Sequence, residues 1–193
     1  MSTLLFDLFK FSKLLNIEDG KLELMNTPIN IVPTSILSNI QKSLVEQLGL
    51  ERAYSIIYQQ AKEGSISYNR EFIKKQKFSD KRKILDWQIK VVSFAGWGEL
   101  EIALALLDSK EKRNIVHFKN PTFPIIYGKS NYPVDFIPAG FIAGGLSENL
   151  GVNLDVVETK CVSRKDQFCE FEVGKPETIL ALRNKLWKNW GLI

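Results

Sequence analysis

Apolar residues change their period several times along the chain, and each change predicts an element. Leu4, Leu5, Leu8, Phe9, Phe11, Leu14 and Leu15 recur near helical spacing and predict a short amphipathic opening helix. After the turn signal Asp19-Gly20, residues 21–25 alternate as a strand, with residues 30–32 as the expected hairpin partner before Pro33. Thr34 is the expected cap of a helix whose face is Ile36, Leu37, Ile40, Leu44 and Leu48, ended by Gly49. A second helix over 50–61, a basic third over 68–77 and a fourth over 82–94, capped at Ser79-Asp80, complete a helical first half. Beyond Gly96-Trp97-Gly98 the pattern alternates: strands are predicted leading to Asp108 and over 114–119, joined by the charged turn 109–113. An irregular loop over 120–133, a glycine-rich helix over 134–150, strands over 153–162 and 168–173 and a last helix from Gly174-Lys175-Pro176 follow. Ile179, Leu182, Leu186, Trp187 and Trp190 are its apolar face. The sum is α+β, an antiparallel sheet of about four strands packed against helices.

Length and composition agree with one domain over 1–193. The chain is 45% apolar, with no repeat, low-complexity tract or long linker. The net charge of +4 is concentrated in residues 70–83, which hold seven basic residues against Glu71 and Asp80. Without aromatic and basic interleaving this run reads as a solvated helical face, so nucleic acid is not the expected partner. No run reaches the length of a transmembrane segment, and residues 1–16 carry Asp7 and Lys10 inside their apolar pattern instead of a secretory leader. Two cysteines make no disulfide framework, so a cytoplasmic location is expected.

Candidate chemistry is concentrated in residues 135–176. Glu158, Cys161 and Cys169 follow Glu-x-x-Cys-x7-Cys, which can place a carboxylate and two thiolates around one ion if the segment forms a hairpin. Glu158 and Cys161 are three apart, so a regular strand would point them to opposite faces and a bulge or turn near Cys161 is required. Asp135 and His117 are the candidates for a fourth ligand, and two reduced, half-buried cysteines on neighbouring strands are the alternative. The aromatics Trp87, Trp97, Phe118, Phe123, Tyr127, Phe136 and Phe141, with Phe94 and Tyr132, line a cavity or fill the core. Catalysis finds little footing, since His117 is the one histidine and no nucleophile lies near it in sequence.

Residues 140–176 resemble the 4-vinyl reductase domain family in the pair Gly140 and Gly144, the Glu158, Cys161 and Cys169 ladder, and Val173-Gly174-Lys175-Pro176. That family includes sensor domains of aromatic-responsive transcriptional activators and archaeal stand-alone proteins, and the resemblance implies a chain of the latter kind. It implies a fold similar to the TRAPP vesicle-tethering subunits and to nitric-oxide-signalling ligand-binding domains. It also implies zinc held by Glu158, Cys161 and Cys169, with Asp135 standing where the family has a fourth cysteine. The function implied is a non-enzymatic sensor of an apolar small molecule or lipid, a homodimer built through residues 1–32, signalling to a protein partner. The alternative is a TRAPP-like scaffold or assembly subunit acting through protein contacts.

Overall fold

Asp19 and Gly20 both take positive φ, 49° and 76°, and so reverse the chain in two residues as a tight hairpin demands. They join strands β1 (Leu15–Glu18) and β2 (Lys21–Leu24), and β3 (Thr27–Pro28) completes a small antiparallel sheet. The computed structural model describes residues 12, 15–24, 27–76, 80–102 and 114–193. The expected opening helix falls almost wholly outside the described residues, as do Met25, residues 77–79 and the segment 103–113. Two expectations change here. Leu15 belongs to β1, and β2 pairs with Thr27 and Pro28 in place of residues 30–32. The close return after Leu24 sets Thr27 opposite it, and Ile31 is left exposed.

Helix α1 (Thr34–Leu48) starts with Thr34 inside its first turn, so Pro33 occupies the cap position and no side chain caps it. Gly49, at φ 78°, reverses direction and leads at once into α2 (Leu50–Gln76). The two helices expected over 50–61 and 68–77 are this one continuous helix. Their apolar patterns are interrupted because the buried positions between them are Lys62, Ser65 and Asn69, which are small or polar yet lie in helical register with Tyr54, Tyr58 and Phe72. Helix α3 (Lys81–Phe94) is capped by Asp80, whose carboxylate accepts the Arg82 N–H at 2.9 Å.

The second sheet runs β4 (Glu99–Ile102), β5 (Asn114–Lys119), β7 (Cys169–Gly174), β6 (Asp155–Lys160), every neighbour antiparallel. The stretch expected as a loop after Asn120 contains a short helix, α4 (Thr122–Tyr127), whose Phe123, Pro124 and Tyr127 are buried. Helix α5 (Phe136–Leu150) is apolar almost all round and buried accordingly, packed on α2, α3 and β6. It meets α2 more extensively than any other pair of elements meet. Gly140 and Gly144 explain the contact: a Cβ added to either would lie 2.3 Å from the carbonyl oxygen of Tyr58 or Lys62. A last helix, α6 (Pro176–Asn189), buries Ile179 and Trp187 and lies along β6 and β7. Val116, Phe118, Phe123, Val134, Phe136, Ala143, Val156 and Phe171 form the centre of the core, while Leu24 and Phe72 anchor a smaller cluster that includes Trp87.

Candidate functional site

The β6–β7 hairpin departs from regular pairing where the cysteine spacing required it to. Glu158 opposes Phe171 and Lys160 opposes Glu170, so an extra residue bulges out between Glu158 and Lys160. The chain then turns through Cys161 into a single 3-10 turn, Val162–Arg164, closed by Lys165 at φ 77°. Asp166 holds that turn. Its carboxylate accepts the Cys161 N–H at 2.8 Å, and its own N–H returns to the Cys161 carbonyl at 3.2 Å. The Val162 N–H points at Cys169 Sγ, 3.4 Å away, a contact that favours a thiolate. Ser163 ties the hairpin to the preceding segment, donating to the Pro124 carbonyl at 2.8 Å and accepting the Ser130 N–H through its own carbonyl at 2.9 Å.

Asp135 stands at the cap position of α5, where an aspartate ordinarily accepts backbone N–H groups of the first turn. Here it makes no such bond. Gln41, buried in α1, donates to the Val134 carbonyl at 2.7 Å and fixes the approach to it, and the Asp135 N–H donates to Glu158 Oε2 at 2.9 Å. The result is that ligand atoms of Asp135, Glu158, Cys161 and Cys169 all lie within 4.8 Å of one another. Asp135 and Glu158 are 2% and 5% exposed and both thiols fully buried. Among the described residues no N–H or O–H reaches Asp135 Oδ1, Asp135 Oδ2 or Glu158 Oε1, which leaves only the thiols beside them.

Three of the four buried acids, with no cation beside them, resist ionisation, and the fourth, Cys161, ionises more readily. Burial, and then Cys161, push the Asp135 carboxyl up to about 7. Burial, and then Asp135, hold Glu158 well above the usual carboxylate range. A hydrogen bond from Cys169 lowers the Cys161 thiol to about 6, and the same bond, with burial, raises Cys169. Two thiols and two carboxylates, with three orphaned oxygens among them, are the donor set that a four-coordinate zinc ion fits. His117, the other fourth-ligand candidate, lies elsewhere, paired with Glu170 at 3.2 Å and against the Phe168 ring.

The candidate pocket aromatics do not surround one space. Trp97 stacks on Phe123, and Trp97, Phe118 and Phe141 line a cavity of ≈ 20 Å³ with Val92, Pro138 and Ile142. Phe136 borders a second, of ≈ 10 Å³, against Asp135, Glu158, Tyr54 and Trp187. Tyr127 bonds Tyr132 at 2.6 Å, and Trp87 sits apart on Phe72. Sequence reasoning missed Asp166, whose place in the polar turn after Cys161 was the available signal, and Tyr68, Asn69 and Gln88, which line another cavity.

Residues 115–175 match the family model of the 4-vinyl reductase domain. The match covers 61 of the 193 residues. The match spans β5 to the start of α6 and contains all four clustered acids. The whole fold is similar to the phenol-responsive sensory domain of the transcription activator PoxR, solved with phenol, at a TM-score of 0.75 and 16% identity over 92% of each chain. It is also similar to a vinyl-4-reductase family protein from Methanocaldococcus jannaschii, at 0.52 and 19% over 76% of this chain and 83% of that one. A trafficking protein particle complex subunit 3 from Naegleria fowleri, solved covalently bound to palmitic acid, is similar at 0.48 and 15% over 72% and 93%. No curated protein matches in sequence. The α+β architecture of antiparallel sheets against helices is thus shared with the PoxR sensory domain.

Proposed function

We propose that this chain acts as one non-enzymatic sensor domain of the 4-vinyl reductase family that binds an apolar small molecule, with a structural zinc held by Asp135, Glu158, Cys161 and Cys169. The observation that carries the reading is the buried four-acid cluster, whose orphaned carboxylate oxygens have no cation among the described side chains. Zinc bound there would supply the missing positive charge and cross-link α5 to the hairpin. The protein's part is then positional: Asp166 shapes the turn at Cys161, the Val162 N–H stabilises the Cys169 sulfur, and Gln41 holds the approach to Asp135. A small-molecule ligand agrees with the family match and with the phenol-bound structure of the same fold. The reading includes a homodimer, a protein partner to receive the signal, and a cytoplasmic setting that keeps both thiols reduced. No described helix is long and apolar enough to cross a membrane.

A scaffold role is the second reading, and one surface favours it. Helix α1 carries an open groove of ≈ 440 Å³ lined by Ile36, Asn39, Ile40, Ser43, Leu44 and Gln47, with Ile36 and Ile40 exposed. Elemental analysis with native mass spectrometry of the purified protein separates the two. One zinc per chain and a copurifying apolar molecule are expected, whereas metal-free protein of full stability would remove the zinc claim. An empty dimer that retains a bound protein would favour the scaffold. Asp135→Cys is expected to tighten metal binding in a chelator competition, since thiolate is the softer and stronger zinc donor.

A further inference from the structure

Phe141, on α5, lines two small cavities. On one side lies a space of ≈ 10 Å³ among Tyr68, Asn69, Phe72, Gln88 and Val91; on the other is the ≈ 20 Å³ space that Trp97 and Phe118 border. Each holds about one water. Neither could grow by α5 swinging from α2, because Gly140 and Gly144 bring the two backbones into direct contact. Ser65 Oγ also donates to the Phe141 carbonyl at 2.7 Å and pins that residue's main chain. The Phe141 side chain is only partly buried, with its ring 6.4 Å from that of Tyr68. It is therefore the wall that can move while the helices stay.

The polar groups around the first cavity are committed with one exception. Asn69 Nδ2 donates to the carbonyl and hydroxyl of Ser65 at 2.8 and 3.1 Å. Gln88 Nε2 donates to Asn69 Oδ1 and the Gly145 carbonyl at 2.9 and 3.0 Å, and Gln88 Oε1 accepts from Asn149 at 3.3 Å. The Tyr68 hydroxyl is buried without a partner among the described residues. Burial raises its pKa, so it stays protonated and offers a donor. An unpaired buried hydroxyl is a standing cost that a ligand's acceptor would remove.

We propose that Phe141 is a movable partition: with its ring turned aside the two cavities join into one slot for a flat apolar molecule whose single polar group bonds the Tyr68 hydroxyl. This rests on the small-molecule reading above and specifies where and how the ligand is held. Phenol and the near-isosteric toluene, titrated calorimetrically into the full chain, test it. Phe141→Ala should tighten both probes about tenfold by removing the partition, with Phe141→Leu as the milder variant should the first not fold. Tyr68→Phe should weaken phenol about tenfold and leave toluene unchanged, because only one hydrogen bond is lost. Phenol binding that ignores both substitutions would overturn this site while leaving the sensor reading in place. Absence of binding even to Phe141→Ala would also overturn it, and a copurified ligand would still decide the sensor reading independently.

Discussion

Helix α5 has a buried polar cluster toward each end, and the two are built on opposite principles. Toward its C-terminus, Ser65, Asn69, Gln88 and Asn149 are neutral amides and a hydroxyl, and they bond one another and the main chain in a nearly closed chain in which only Asn149 Oδ1 is left over. At its N-terminus, Asp135, Glu158, Cys161 and Cys169 are all acids. An amide brings donors and acceptors together, so a few of them can satisfy each other inside a protein. Ionised carboxylates and thiolates only accept, so no arrangement of these four completes itself. The first cluster holds three helices in register; the second requires a cation or protons to exist at all.

The largest test of that contrast is Cys161→Ser or Cys169→Ser. Either is expected to lower the unfolding free energy of the metal-loaded protein by several kcal/mol, on the order of what structural zinc adds to folding, as read by denaturant titration. A loss below about 1 kcal/mol, an ordinary point-mutant effect, would mean plain buried thiols and would erase the distinction. Gln88→Leu comes next. It strands Asn69 Oδ1 and removes the bonds to the Gly145 carbonyl and to the Asn149 amide, which keeps the Lys81 carbonyl, and should cost about 1–3 kcal/mol with metal content unchanged. Metal lost along with stability would show that the two ends are coupled.

The smallest effect expected is in the pH dependence of chelator-treated protein. With Asp135 raised to about 7, the folded state binds a proton more tightly than the unfolded chain. That contribution is complete below the ordinary carboxylate pKa and is lost as pH rises through about 7, so the melting temperature of the metal-free protein should fall over this window. Metal-loaded protein should show the reverse trend, because its ligands must give up their protons. The net shift is small because two lowered groups oppose it: Glu170 beside Lys160 adds stability as pH rises through the lower part of the window, and Cys161, lowered to about 6, adds it above about 6. Matching trends with and without metal would break the comparison.

Some of this was legible from residue spacing. Three positions between Glu158 and Cys161 require a break in strand alternation, and the bulge lies there. The continuous α2 was not legible, since its buried Lys62, Ser65 and Asn69 register as polar in any hydrophobic pattern. Lys62 is buried because Asp155 at 2.6 Å and Asn153 at 3.0 Å, some ninety residues away, accept from its ammonium. The pocket aromatics were legible as apolar but not as a set, because which rings share a cavity depends on how helices cross.

By itself the sequence determined the donor chemistry, the order of helices and strands in most of the chain, and the glycines at which α5 can touch α2. Side-chain identity and local period carry that information without reference to distant residues. Only the tertiary structure decided that Asp135, to which the resemblance pointed, lies against Glu158 and the two cysteines while His117 lies elsewhere, and that the Tyr68 hydroxyl beside Phe141 has no partner among the described residues. Both follow from contacts between segments far apart in the chain, and those contacts are set by packing the core as a whole.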